Sequence, residues 1–109
     1  MGDARIERKT LRFQMQIRIF LTAGEVEGEG VVLDLSKGGC RAQCEAELSV
    51  GNEIEAQVYF PDYEWPLKVK RAIVRWINAD VFGIEFLEML PAQKERLRVL
   101  LAEKKFKLG

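Results

Sequence analysis

Two short polar segments hold the residue types best able to do chemistry. The first, Arg8-Lys9-Thr-Leu-Arg12, sets two guanidinium groups four residues apart near the N-terminus. The second, Asp34-Leu-Ser36-Lys-Gly38-Gly39, is a compact polar turn between two apolar runs. Arginine presents several donors in fixed directions, which suits phosphate oxygens and guanine edges. An Asp-x-Ser step followed by paired glycines offers short acceptors and a hydroxyl beside backbone that a flat ligand can approach closely. Together the two segments describe a pocket for an anionic, aromatic molecule of the guanine-nucleotide kind.

The elements that must position these residues read as strands. Residues 1–13 are rich in charge and lack periodicity, as expected of an arm that joins the core at Phe13. From Met15 the chain alternates, with Met15, Ile17, Ile19 and Leu21 on one side and Gln16, Arg18 and Phe20 on the other. Gly24, Gly28 and Gly30 surround a hairpin, and Val31, Leu33 and Leu35 carry a second strand into Asp34 and Ser36. Cys40, Ala42 and Cys44 share one face of a third strand, and Ile54, Ala56, Val58 and Phe60 share one face of a fourth. The run from Leu67 to Ile77 slips in phase, since Leu67 and Val69 fit one face but Ala72, Val74 and Trp76 the other. That slip predicts a bulge near Lys70 and Arg71. Phe82, Ile84 and Phe86 face inward on a sixth strand. After Pro91, the stripe Leu97, Leu100, Leu101 and Phe106 predicts one amphipathic helix, packed on the barrel or against a second copy. The expected architecture is mainly β: a six-stranded antiparallel β-barrel over 14–90, a flexible N-terminal arm over 1–13 and a C-terminal α-helix over 91–109.

Composition narrows the function. The chain has 109 residues, 17 basic and 17 acidic side chains and no histidine. Charge balance argues against a protein that coats DNA or RNA, which needs a basic surface. The same balance still permits a local basic site near Arg5, Arg8, Lys9 and Arg12. Without imidazole, and with no nucleophile beside a base, an enzyme is not expected, nor a metal or cofactor. Cys40 and Cys44 sit four residues apart in a strand, about 13 Å at ~3.3 Å per residue, beyond the ~7 Å limit of a disulfide. Reduced, buried thiols suit a cytoplasmic protein. The N-terminus lacks an apolar signal segment, and no apolar run approaches the ~20 residues of a membrane span, so membrane insertion is not expected.

At this point the residues resemble the PilZ domain family, bacterial receptors for cyclic di-GMP. The family pattern is Arg-x-x-x-Arg just before the first barrel strand, then Asp/Asn-x-Ser-x-x-Gly between the second and third strands. Arg8 and Arg12 match the first part; Asp34, Ser36 and Gly39 match the second. The interval from Arg12 to Asp34 holds one hairpin, as the family layout requires, and Gly83-Ile-Glu-Phe86 before a terminal helix is similar to the family's ending. Glu7 stands where many relatives carry another arginine. The resemblance implies a non-catalytic receptor whose arm closes over cyclic di-GMP and then presents a new face to a downstream protein partner.

On that reading Arg8 and Arg12 supply guanine-edge, stacking and phosphate contacts, with Lys9 beside them. Asp34 and Ser36 contact guanine donors, or else cap the turn through local backbone bonds. Gly38 and Gly39 are either a pocket floor or turn glycines with positive φ. Arg41 is a further phosphate candidate or a plain surface arginine. Trp76 either stacks on a base at the rim or packs in the core with Val74, and its phase favours the core. A nucleotide-independent interaction module, docking through the helix or the loop of Tyr63 and Trp65, is the alternative function.

Overall fold

The computed structural model describes residues 17–61 and 63–103. Arg8, Lys9, Arg12, Phe13, Met15 and Phe106 lie outside the described residues. The elements are β1 (Arg18–Ala23), β2 (Val26–Ser36), β3 (Gly39–Cys44), β4 (Glu53–Tyr59), β5 (Leu67–Asn78), β6 (Val81–Glu88) and α1 (Pro91–Glu103). The six strands close into an antiparallel barrel in the order β1-β2-β3-β6-β5-β4, and β4 pairs back onto β1.

Alternating side chains build the interior. Ile17, Ile19 and Leu21 are buried, as are Cys40, Ala42 and Cys44, and Ile54, Ala56, Val58 and Phe60. Phe82 and Ile84 join them from β6, and Phe86 is partly buried against the same cluster. No polar or charged side chain among the described residues is buried. Each fully buried aliphatic side chain contributes about 1.5–3 kcal/mol over an exposed one.

The ends of the barrel are covered separately. The 45–52 connection covers the β1–β2 hairpin end, where Ala46 and Leu48 pack on the core and Gly28 lies so close to Ala46 that no Cβ would fit there. Helix α1 packs at the end where β1 and β5 begin, burying Leu97 and Leu100. Gln93 Oε1 accepts from the Lys68 amide at 3.0 Å, and the Arg96 guanidinium donates to the carbonyls of Pro66 and Trp65. The leucine stripe is therefore spent on the barrel at Leu97 and Leu100, while Leu101 is only half-buried.

Irregularities in the ladder matter more than the regular strands. The slip expected near Lys70 and Arg71 is present: Ile54 pairs Ala72 while Ala56 pairs Val69, which leaves an extra residue on β5. Three further bulges were not legible as such in the alternation. Arg71 pairs Glu88 but Ala72 pairs Phe86, so Leu87 is the extra residue on β6. Val32 pairs Ala42 but Asp34 pairs Arg41, so Leu33 is the extra residue on β2. Val74 pairs Ile84 but Trp76 pairs Gly83, so Arg75 is the extra residue on β5. The buried hydrophobic side chains of β2 are accordingly Val32 and Leu35, in place of an unbroken Val31, Leu33, Leu35 alternation.

Cys40 and Cys44 are free thiols facing the interior. Burial, and then the nearby Asp34 carboxylate, push the Cys40 thiol up to about 12 from its ordinary 9.0. Above pH 9 the thiol ionises in the unfolded chain but stays protonated in the fold. Its stabilising contribution is thus complete below 9.0 and lost as pH rises toward 12. The alkaline loss of stability, followed by urea denaturation from pH 8 to 11, is expected to be shallower for Cys40→Ala than for the native chain. At pH 8 an aromatic disulfide reagent should label Cys40 only after denaturant is added.

Candidate functional site

A bulge inserts one residue and re-aims the side chains beyond it. In unbroken alternation with Val32, Asp34 would point into the barrel, where an unpaired carboxylate is costly. The extra residue Leu33 turns it outward. In the same way the extra residue Arg75 turns Trp76 out of line with buried Val74. Trp76 is 42% exposed, which corrects the core placement favoured by its phase.

The two bulges bring distant residues into one outward row. Across β2, β3, β6 and β5 the register aligns Asp34 with Arg41, Arg41 with Gly83 and Gly83 with Trp76. The neighbouring row runs Ser36, Gly39, Glu85 and Ile73. Arg41 Nε donates to Asp34 Oδ2 at 2.6 Å, and Arg75 Nε donates to Glu85 Oε1 at 2.5 Å. A Cβ on Gly83 would fall 2.2 Å from the Trp76 indole. The ring therefore rests on bare backbone with its opposite face toward solvent.

The β2–β3 turn closes one side. The Gly38 amide donates to Ser36 Oγ at 3.3 Å and Ser36 Oγ donates to the Gly39 carbonyl at 3.2 Å, so Ser36 caps its own turn. The Phe86 amide donates to the Gly38 carbonyl at 2.9 Å and ties the turn to β6. Neither Gly38 nor Gly39 has positive φ; the described glycines that do are Gly24 and Gly51. Gly39 is demanded by close approach, since a Cβ there would lie 2.2 Å from the Ile84 carbonyl oxygen. Gly38 has open space around it.

An open concavity of about 290 Å³ is lined by Asp34, Ser36, Gly38, Gly39, Arg41 and Trp76 together with Arg75, Gly83 and Glu85. The structure thus gathers every described residue that the sequence marks as a binding candidate. Arg8, Lys9 and Arg12 lie outside the described residues. Sequence reasoning did not single out Arg75, Glu85 or the role of Gly83. Their signal was the second phase slip in β5, hidden because Trp76 is itself an acceptable core residue. The lining carries two arginines, Arg41 and Arg75, against two carboxylates, Asp34 and Glu85, so its formal charges cancel.

A family model described as the PilZ domain matches residues 6–103, nearly the whole chain and including Arg8 and Arg12. The chain belongs to the PilZ family. No curated protein matches this PilZ chain. Among solved structures it is similar to the crystal structure of the PilZ domain of CeSA from a cellulose-synthesizing bacterium. The likeness has 17% sequence identity and a TM-score of 0.66, and covers 86% of this chain and 97% of that one. At that identity the likeness concerns the fold, a closed six-stranded barrel. No described helix of this PilZ domain is long and apolar enough to cross a membrane.

The paired glycines make separable demands. Gly39→Ala is expected to lower unfolding free energy by about 1–3 kcal/mol, because backbone at Ile84 must move, whereas Gly38→Ala should stay within about 0.5 kcal/mol of the native chain. Urea unfolding of the two variants measures both.

Proposed function

We propose that this PilZ domain is a non-catalytic cytoplasmic receptor that binds cyclic di-GMP on the outer barrel surface and orders its N-terminal arm over it, to regulate a protein partner. One observation carries the reading: two bulges deliver Asp34 and Trp76 to the row of Arg41 beside the Ser36 turn, around one concavity. Family membership supplies the ligand class. The two free thiols support a reducing compartment.

Each residue has a task on this reading. Asp34 keeps an oxygen beyond its bond to Arg41 and accepts from guanine N1–H and the exocyclic amino group. Ser36 combines its turn-capping bond with a contact to the ligand. Arg41 answers the phosphate or the guanine edge, and the outer face of Trp76 offers stacking worth about 1–3 kcal/mol per base. Gly38 and Gly39 leave the turn low enough for a flat ligand. The described lining is charge-neutral, so a net excess of positive charge for a dianion has to come from Arg8, Lys9 and Arg12. Reach allows it. The chain enters at Ile17, whose carbonyl accepts from the Val32 amide at 2.7 Å, two residues before Asp34. At about 3.4 Å per residue, five residues of chain span at most ~17 Å and nine at most ~30 Å, a reach sufficient for Arg12 and Arg8 on this reading. An arm gaining contacts only when the ligand is present shifts from open to closed on binding.

Isothermal titration with cyclic di-GMP is expected to give saturable heat at micromolar ligand, and Arg12→Ala should remove it or weaken binding at least about tenfold without changing the melting temperature. In a Trp65→Phe background, ligand should quench Trp76 emission. Absence of heat and of quenching in the folded protein would reject the receptor reading in favour of a nucleotide-independent interaction module.

A further inference from the structure

The ion pair between Arg75 and Glu85 is left over from the assignment above, although both side chains line the same concavity. Arg75 points outward as the residue after buried Val74, and as the extra residue of the β5 bulge it shares the outer face with Trp76. Its Nε donates to Glu85 Oε1 at 2.5 Å, and both side chains are about half exposed. An exposed pair of this kind contributes little to stability, roughly 0–1 kcal/mol. Glu85 neighbours Gly39 in the ladder, so the pair stands beside the turn of Ser36. Arg75 also adjoins Trp76 in the chain, on the side of the site opposite Asp34 and Arg41.

We infer that Arg75 is a second anion-binding residue of this site and that Glu85 is its built-in competitor, a carboxylate holding the guanidinium where a ligand phosphate would otherwise sit. The inference rests on the receptor reading and extends it to a residue outside both family motifs. A planar guanidinium bonds carboxylate and phosphate with the same donors, so the two anions exclude each other at Nε. The weakness of the exposed pair makes exchange feasible. The dianion has to displace Glu85 and sit near its charge, which lowers affinity and discriminates against ligands carrying too little negative charge to compete. Asp34 differs, because its pairing with Arg41 fixes a carboxylate for use, whereas Glu85 occupies a cation that the ligand needs.

The test is calorimetric titration of the full chain with cyclic di-GMP for four proteins: native, Glu85→Gln, Arg75→Ala and the double variant. Thermal melting confirms that each is folded. Glu85→Gln is expected to bind about threefold or more tighter. Arg75→Ala should bind about tenfold weaker, and Glu85→Gln should bring less than about twofold gain when Arg75 is already absent. Weaker binding by Glu85→Gln while the native chain binds would overturn the inference, since Glu85 would then be a base acceptor. Unchanged affinity in Arg75→Ala would overturn it too. Silence from both the native chain and Glu85→Gln would remove the receptor reading itself, a result distinct from binding with the wrong order of variants.

Discussion

Closure of the sheet is the constraint from which the rest follows. Six strands around one axis leave an interior filled entirely by apolar side chains, from Ile19 and Leu21 on β1 to Phe82 and Ile84 on β6. Nothing polar can be placed inside without loss of solvation. Function is therefore confined to the outer face and rims, and the chain needs a device for switching particular side chains outward. Single-residue bulges at Leu33 and Arg75 are that device. Each interrupts pairing at one position and in exchange places Asp34 or Trp76 on the outer row.

The barrel was legible from the sequence because its strands alternate cleanly where they matter for packing. Cys40, Ala42 and Cys44, and Ile54, Ala56, Val58 and Phe60, lie inside as their spacing requires. Only one of the phase slips could be read, at Lys70 and Arg71, because two charged residues interrupt the apolar pattern there. The slip at Arg75 was invisible for the opposite reason: Trp76 is apolar and would satisfy a core position. At Leu33 the bulge is masked by four apolar residues, Val31, Val32, Leu33 and Leu35, that permit either phase. The motif in 34–39 was legible as a polar turn. Its glycines were needed for close strand approach at Gly39, and positive φ occurs instead at Gly24 and Gly51.

The electrostatics of the outer row are organised by pairing. Arg41 with Asp34 and Arg75 with Glu85 cancel locally, while Arg18 with Glu29 and Arg71 with Glu53 and Glu88 do the same elsewhere on the barrel. A surface built this way has little long-range field to steer an anion. On the proposed receptor reading, selectivity rests on short-range geometry: an indole seated on Gly83, a serine-capped turn, and carboxylates paired with their arginines. Buried Cys40 senses the same arrangement from beneath, since the charge of Asp34 adds to the burial that keeps its thiol protonated.

A cylinder of strands has no first and last member. Every described strand has hydrogen-bonded neighbours on both sides, so the described wall presents no whole strand edge onto which an extended peptide could be zipped or copies could stack into fibrils. Recognition of another macromolecule must go through side chains at the ends and the outer wall, where loops such as that bearing the largely exposed Trp65 can vary without disturbing the hydrogen-bonded wall.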